Sequence, residues 1–191
     1  RAGIVHRLDK DTSGVLVVAG SNVPAKRLAG MIEQREVRRI YHAVCEGALV
    51  SGFDVDRPIG RDPKNRTKQI VSDQGRNAFT TVRLLQQYQA HALIRAELKT
   101  GRTHQIRVHM GSMGHPLVGD RKYGARKVLP RGASEKDMDV VRYFNRQALH
   151  SAVLSFEHPV SGVICENQAP WPSDLSELVG ALGGKELTGE I

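Results

Sequence analysis

The chain has 191 residues, of which 40% are apolar and 5% aromatic, a composition that suits one domain with a mostly aliphatic core. Lysine and arginine exceed aspartate and glutamate by 28 − 20 = 8. An excess of this size favours a polyanionic partner such as nucleic acid over a merely soluble surface, because basic groups that meet phosphates release condensed counterions. No apolar run reaches the ~18 residues of a membrane span, and no signal peptide is visible.

Cysteine usage indicates the redox environment of the protein, and the first residue indicates whether the sequence is part of a longer chain. Cys45 and Cys165 lie far apart and outside any Cys-x-x-Cys pair, which argues against a disulfide framework and a zinc ribbon. Reduced thiols in a cytoplasmic protein are therefore expected. The chain begins with Arg1 and enters its densest motif within a few residues, so we expect it to be part of a longer protein.

The first half of the chain predicts strands around one helix. The run 14–19 is short, apolar and rich in β-branched residues, which favours a buried strand. Residues 24–36 place apolar side chains three and four apart and predict an amphipathic helix with Pro24 in its first turn. Residues 39–45 predict a strand, and the polar, basic stretch 54–73 predicts a short-stranded surface excursion.

The second half predicts two hairpins and two helices. Residues 79–85 and 92–98 favour antiparallel strands that turn near Gln89, and 147–156 with 163–168 form a second such pair. Residues 103–113 predict a helix capped by Thr103, with Ile106, Met110 and Met113 as its apolar stripe. The basic stretch 121–146 predicts loop, and 172 onwards predicts a helix that ends before the glycines at 183 and 184. The expected class is α+β with a largely antiparallel sheet.

The strongest chemical motif is the segment 6–14, His-Arg-Leu-Asp-Lys-Asp-Thr-Ser-Gly. Polar groups at the mouth of a strand are held rigidly yet reach solvent, as catalytic groups do. Arg7 and Lys10 flank Asp9 and favour its ionised form, which can act as a nucleophile or a base. The alternative is a salt-bridged turn in which Asp11 or Thr12 bonds the local backbone.

A second motif, residues 100–110, places two histidines and two arginines at a predicted helix start, a natural anion site. His104 and His109 are five residues apart and diverge on a helix or a strand, which argues against one shared metal ion. A buried Arg107 would need an acidic partner, and Asp9 is a candidate. The alternative is an exposed helix arginine.

These motifs resemble the RluA-type RNA pseudouridine synthases. Segment 6–14 resembles the family's signature around its catalytic aspartate, and segments 101–109, 114–124 and 146–151 resemble three further family blocks in the family's order. The likeness covers nearly the whole chain. It implies a pseudouridine synthase catalytic domain over 1–191, with a bent mixed sheet. Family members carry further catalytic-domain residues before the signature, and many carry an S4-like RNA-binding domain, and this sequence contains neither.

The resemblance implies that uridine in RNA is isomerised to pseudouridine without a metal or organic cofactor. It assigns Asp9 as the catalytic carboxylate, Tyr41 as the tyrosine that packs on the target base and is a candidate for the C5 proton transfer, and Arg107 as the basic partner of Asp9. An ordinary core aromatic is the alternative for Tyr41. The aspartate could attack the sugar or remove its 2′ proton, and both routes stay open.

The resemblance also implies large-subunit (23S) ribosomal RNA as the partner, with the helix 69 stem-loop as the favoured target, and a monomer without an obligate protein partner. A base inside a stem must flip out to be reached, and Arg7 could fill the gap that it leaves. Phosphate contacts are expected from basic residues on both sides of the motifs. The predicted RNA-binding residues are Arg7, Lys10, Arg61, Lys64, Arg66, Arg102, Lys122 and Arg126.

Two functions of other classes stay open. A glycoside hydrolase also uses carboxylates, but it needs two of them about 5–10 Å apart, and in the sequence only Asp9 is framed for such work. A non-catalytic RNA-binding module would explain the positive charge. It would not explain an acidic residue at the centre of a basic motif, where a carboxylate opposes phosphate binding.

Overall fold

The computed structural model describes residues 3–124 and 128–184. Within these ranges the chain forms nine strands and four helices: β1 Ser13–Gly14, α1 Asn22–Glu33, β2 Arg38–Glu46, β3 Phe53–Asp56, β4 Ile59–Arg61, β5 Gln69–Val71, β6 Phe79–Gln87, β7 His91–Leu98, α2 Gln105–Ser112, α3 Glu135–Tyr143, β8 Leu149–Glu157, β9 Ile164–Gln168 and α4 Ser173–Ala181. None of these helices is long and apolar enough to cross a bilayer.

Seven of the strands form one mixed sheet in the order β1-β8-β2-β7-β6-β3, with β9 paired to β8. In this sheet β1 runs parallel to β8, and the other pairings are antiparallel. Strands β4 and β5 form a separate two-stranded hairpin. The predicted α+β class and its largely antiparallel sheet are therefore confirmed.

The centre of the sheet is covered on both faces, which is why eight of the nine residues of β2 are buried. On one face Ile94 of β7 packs with Ile106 and Met110 of α2. On the other face Leu93 packs with side chains of α3 and α4, including Leu178. Helix α1 packs separately against the end of β8. Side chains near the start of β2 therefore project from a rigid, doubly covered strand.

Three local predictions were wrong. The run 14–19 is not a buried strand: β1 stops at Gly14, and Leu16 and Val18 are exposed. Thr103 does not cap α2, because His104 occupies the N-cap position with φ of 58° and no side-chain capping bond. Met113, predicted in the apolar stripe, lies past the helix end and is exposed.

The described part of 121–146 is mostly loop, as predicted, but it also contains α3, which the sequence did not predict. The Ser134 side chain accepts a hydrogen bond from the backbone N–H of Asp137, and acidic residues occupy the first turn, where they complement the helix dipole. Val141 is buried against α4 and the sheet. The weak periodicity of this stretch concealed a short helix that tertiary packing stabilises.

Candidate active site

A cleft of about 420 Å³ opens where the loop before β1, the start of β2 and the loop between β7 and α2 meet. The two chemical motifs, about a hundred residues apart in sequence, both line it. Its walls carry one carboxylate from the first motif, one buried tyrosine and several basic side chains. The lining residues that matter below are Arg7, Asp9, Arg35, Arg39, Tyr41, Arg76, Lys99, Gly101, Arg102, His104 and Arg107.

The backbone of the loop that carries Asp9 is fixed by hydrogen bonds at several points. The Thr12 N–H donates to the Asp9 carbonyl at 3.0 Å. The Gln147 side chain donates to the Lys10 carbonyl at 2.6 Å and to the Thr12 hydroxyl at 3.0 Å. Asp11, between them, has φ of 68°, a conformation that aspartate tolerates better than most residues. The loop is therefore anchored, and the Asp9 side chain is mostly buried.

Arg107 of α2 binds two carboxylates at once. Its Nη1 donates to Oδ2 of Asp9 at 3.1 Å, so the predicted hydrogen bond between these residues is present. Its Nε and Nη2 donate to the two carboxylate oxygens of Asp120 at 2.7 and 2.8 Å, a bidentate geometry that fixes the plane of the guanidinium. Arg107 is therefore a clamp between Asp120 and Asp9.

Electrostatics keep this clamp ionised. Burial acts to lower the pKa of Arg107, but hydrogen bonds and charge pairing, first with Asp120 and then with Asp9, raise it above its ordinary value. Burial acts to raise the pKa of Asp120, but Arg107 and the backbone N–H groups of Lys122 and Tyr123 lower it below its ordinary value. Asp120 was not singled out in the sequence, because its neighbours Arg121 and Lys122 give no sign that its partner is Arg107.

Two aromatic rings complete the wall beside Arg107. The Arg107 guanidinium stacks 5.1 Å from the centre of the Tyr123 ring. The Tyr123 hydroxyl lies 2.7 Å from Nδ1 of His104, and it accepts from the Gln69 N–H of β5. Nε2 of His104 lies 4.0 Å from Oδ1 of Asp9. Burial lowers the pKa of His104, so near neutral pH this is a contact with a neutral imidazole rather than an ion pair.

Tyr41 projects from β2 next to an irregularity in the sheet. Ile40 pairs with Val153 and Tyr41 with Ser151, so the register with β8 shifts between them. Such bulges re-aim side chains and are common beside active sites. Burial raises the pKa of Tyr41, and a side-chain hydrogen bond with Ser151 and the charge of Arg39 act in the opposite direction. The structure therefore brings Asp9, Tyr41 and Arg107 to one cleft.

Gln105 holds the loop before α2 in place. Its carbonyl oxygen accepts from the Thr100 hydroxyl and from the Arg102 N–H, and its amide donates to β6. His109, one turn further on, lies between Thr80 and the carbonyl of Arg57, away from His104. Among the described residues, no group of three histidine, cysteine or acidic side chains is placed to hold a metal ion.

Comparison with known proteins agrees with this arrangement. Residues 1–112 match the family model described as RNA pseudouridylate synthase. The chain belongs to the RNA pseudouridylate synthase family. It is 49% identical over 183 residues to ribosomal large subunit pseudouridine synthase D of Vibrio cholerae, covering 95% of this chain and 56% of that protein. The Escherichia coli K12 protein of the same name is 49% identical over 180 residues. The chain thus spans just over half the length of these curated relatives.

A solved structure of the pseudouridylate synthase family has the same fold. Human RNA pseudouridylate synthase domain containing 1 matches with a TM-score of 0.75 and 27% identity, over 98% of this chain and 76% of that one. The human domain containing 4 protein superposes with a TM-score of 0.74 at 24% identity, which supports the fold alone. Both matches extend across nearly all of the described sheet.

The basic rim of this pseudouridylate synthase cleft is larger than the sequence predicted. Arg7 and Arg102 line it as expected, whereas Arg35, Arg76 and Lys99 line it without having been singled out. Burial, followed by the charges of Arg76 and Arg35, lowers the pKa of Arg102, so these three arginines lie close enough to repel one another. Like charges gathered in this way favour an anion between them. Their sequence neighbourhoods are unremarkable, and only the fold brings them together.

The remaining predicted RNA-binding residues lie outside the cleft lining. Arg61, Lys64 and Arg66 are exposed on the β4–β5 hairpin, and Lys10 is exposed beside Asp9. The hairpin packs on the same wall, because Ile59 and Val71 contact Val108 and Tyr123. Lys122 donates from Nζ to the carbonyl of Thr67 in the hairpin loop at 2.8 Å, so it ties the hairpin to the site. Arg126 lies outside the described residues.

Proposed function

We propose that this chain isomerises uridine to pseudouridine in RNA, with Asp9 as the catalytic residue. The observation that carries the proposal is the buried Asp120–Arg107–Asp9 chain, which presents a single oriented carboxylate to a cleft with a basic rim. Membership of the RNA pseudouridylate synthase family supports it. We further propose that 1–191 act as one catalytic domain.

The chemistry needs a carboxylate in this setting. Breaking the N1–C1′ bond leaves an electron-poor sugar carbon. An ionised Asp9 can form an ester with that carbon or remove the 2′ proton, after which the base turns and bonds through C5. Arg107 orients the carboxylate and pairs with its charge through its bond to Oδ2. Tyr41 would pack on the turned base and assist transfer of the C5 proton.

The substrate class follows from the basic rim and the depth of the site. A uridine within a stem must leave its stack to reach Asp9 in the cleft, and Arg7, which also lines the cleft, would fill the gap that the base leaves. Cationic side chains around the opening and on the β4–β5 hairpin would hold flanking phosphates without reading sequence. Choice of uridine would then follow stem-loop shape.

We propose large-subunit ribosomal RNA as the substrate, and the helix 69 stem-loop as its target. Similarity to proteins named ribosomal large subunit pseudouridine synthase D supports the RNA class. The protein would act in the cytoplasm as a monomer without an obligate protein partner. The isomerisation would need no oxidant, reductant or group donor, because uridine and pseudouridine have the same composition.

The test is incubation of the purified protein with unmodified large-subunit ribosomal RNA, followed by chemical mapping of pseudouridine. Pseudouridine confined to one stem-loop is the expected result. Release of free uracil would instead favour a glycoside hydrolase, in which Glu33, the other acidic residue among the described ones that line the cleft, would assist Asp9. Tight RNA binding without any pseudouridine would favour a binding module.

A further inference from the structure

Three arginines of this fold have little exposed surface, and one of them differs from the other two. Arg107 and Arg146 each use the edge formed by Nε and Nη2 to bind both oxygens of an aspartate. Arg39 is 4% exposed, yet its Nε and Nη2 have no hydrogen-bond partner within residues 3–124 and 128–184. The edge that is filled by a carboxylate in the first two arginines is unused in the third.

The position of Arg39 connects it to the site. It precedes Tyr41 by two residues on β2, so both side chains project from the same face of the strand, and both line the cleft. A Cβ atom on Gly101 would lie 2.7 Å from Nη1 of Arg39. A residue other than glycine at 101 would therefore displace the guanidinium, and the loop before α2 leaves room for it.

An unpaired buried cation costs stability, because desolvation of the charge is not offset by a partner. Burial accordingly lowers the pKa of Arg39. No salt bridge of Arg39 is present among the described residues, and Asp9, a carboxylate that lines the same cleft, is bound by Arg107. Groups that are strained or unpaired in this way cluster at functional sites. We therefore expect a negative charge to pair with the Arg39 guanidinium when the reaction takes place.

We propose that Arg39 stabilises the negative charge that develops on uracil when the N1–C1′ bond breaks. The inference rests on the proposed function. When that bond breaks, its electron pair stays on the base and spreads from N1 to the O2 and O4 oxygens. C1′ becomes bonded to the Asp9 carboxylate, or the 2′ proton passes to that carboxylate. C5 then bonds to C1′, and either the C1′–O bond to Asp9 breaks or the 2′ carbon regains its proton. The base is then neutral, and loss of the C5 proton with gain of a proton at N1 completes pseudouridine.

The other charged groups of the cleft floor cannot supply this stabilisation. Asp9 is an anion, and Arg107 is shared between two carboxylates, so the three groups Asp120, Arg107 and Asp9 together carry one negative charge. Arg39 adds a positive charge that no described carboxylate neutralises. A fixed cation in a site from which water is excluded acts strongly on charge that appears in the transition state.

The experiment compares neutral variants of Arg39 with a matched control from the same strand. Arg39→Met and Arg39→Gln remove the charge, Arg39→Lys keeps it, and Arg38→Met removes the neighbouring exposed arginine of β2. Single-turnover isomerisation is measured at saturating RNA. We expect the neutral variants to be slower by about 100-fold or more, as for loss of one transition-state donor, the lysine variant to be intermediate, and the control to match wild type.

Two further measurements separate this role from others. RNA affinity should stay near wild type in all variants, and thermal stability should be unchanged or higher in Arg39→Met, because an unpaired buried charge is removed. With 5-fluorouridine at the target, the fluorine already stabilises the uracil anion. The neutral Arg39 variants should therefore lose less of the wild-type rate of N1–C1′ cleavage with 5-fluorouridine than with uridine. Cleavage is monitored by nuclease digestion and mass spectrometry.

Several outcomes would overturn the inference. Weaker RNA binding with an unchanged saturated rate would assign Arg39 to a phosphate of the nucleotide. Equal losses of cleavage rate with uridine and 5-fluorouridine would show that Arg39 does not act on charge that develops on the base. Loss of stability in both neutral variants would make it structural. If the wild type itself forms no pseudouridine, the proposed function fails instead, and the two failures are distinguishable.

Discussion

Two arginine–aspartate pairs hold the Asp9 loop, and they have nearly the same geometry. Arg107 binds Asp120 with N–O distances of 2.7 and 2.8 Å, and Arg146 binds Asp174 with distances of 2.6 and 2.8 Å. Both pairs use the Nε–Nη2 edge. Both leave Nη1 of the arginine free to bind a second part of the molecule.

The pairs differ in burial and in what Nη1 binds. The Asp120 side chain is 0% exposed, whereas that of Asp174 is 45% exposed. Nη1 of Arg107 binds the Asp9 carboxylate, whereas Nη1 of Arg146 binds backbone carbonyls, including that of Asp11. The same kind of ion pair thus serves two purposes: the buried pair orients the side chain of Asp9, and the partly exposed pair fixes the loop backbone.

Among changes to the two pairs, Arg107→Met should have the largest effect, because it removes the arginine at the centre of the buried pair. Two buried carboxylates lose their partner, a change that costs about 3–5 kcal/mol of folding free energy. Asp9 also loses the hydrogen bond that orients its carboxylate, so activity should fall about 100-fold or more, as when a reacting group is misplaced. Activity is measured by tritium release from RNA labelled at C5 of uridine.

Arg107→Lys is the matched variant, because it keeps the charge but cannot bind two carboxylates in the same fork geometry. It should recover part of the stability and part of the activity. An Arg107→Met enzyme with wild-type activity and normal stability would contradict the role assigned to the pair.

A comparison of Asp120→Asn with Asp174→Asn tests whether the two pairs have different roles. The first variant leaves Arg107 with one anion instead of two, and we expect kcat to fall about 10- to 100-fold, as when an outer partner of a ligand is lost. The second should cost no more than about 1 kcal/mol, because the pair is partly exposed, and kcat should stay close to wild type. Equal effects on kcat would mean that both pairs act through the loop backbone.

A smaller effect is expected from the basic hairpin beside the buried pair. Changing Arg61, Lys64 and Arg66 together to glutamine should weaken RNA binding and reduce the slope of log affinity against log salt by about 2, since each lost phosphate contact removes about 0.7–0.9. The rate at saturating RNA should change little, because these side chains lie outside the cleft. Binding is measured over a salt series.

The control for the hairpin removes three exposed basic residues elsewhere, Lys26, Arg83 and Lys136. It changes the net charge by the same amount, so it separates a local phosphate contact from a general field. A slope reduced equally in both variants would indicate a diffuse surface charge rather than an RNA-binding hairpin.

The smallest effect on catalysis should come from His42, on the face of the sheet that packs against α3 and α4. Its Nδ1 accepts from Nε1 of Trp171 at 2.9 Å, and burial, with the charges of His150 and Arg95, lowers its pKa to about 4. The unfolded chain takes up this proton near pH 6.5, so stability is complete above that value and is lost as pH falls towards 4. His42 should contribute a loss of about 2 kcal/mol between pH 7 and pH 5.

Urea unfolding at the two pH values checks this. His42→Asn keeps an acceptor for Trp171 and should flatten the pH dependence, whereas exposed His158→Asn should not. Activity at pH 7 should be retained in both. A wild-type pH dependence in His42→Asn would show that other groups account for the acid loss.

How much the sequence could predict differs between these elements. β2, the paired strands and the contact of Arg107 with Asp9 followed from periodicity and from the need of a buried arginine for an anion. The sequence did not predict the roles of Asp120, Arg39 and Arg76, because the tertiary fold determines which groups lie beside them. Helix α3 was missed because its few apolar residues are stabilised by α4, a contact that local periodicity cannot reveal.

The most direct test of the account is the activity of Asp9→Asn beside that of Asp11→Asn. Both changes remove one charge from the same loop, and asparagine tolerates the positive φ at position 11. In tritium release from C5-labelled uridine RNA, the account predicts a loss of at least about a thousandfold for Asp9→Asn and near wild-type release for Asp11→Asn. Release by folded Asp9→Asn at a rate comparable to wild type would contradict the assignment of Asp9 as the catalytic residue.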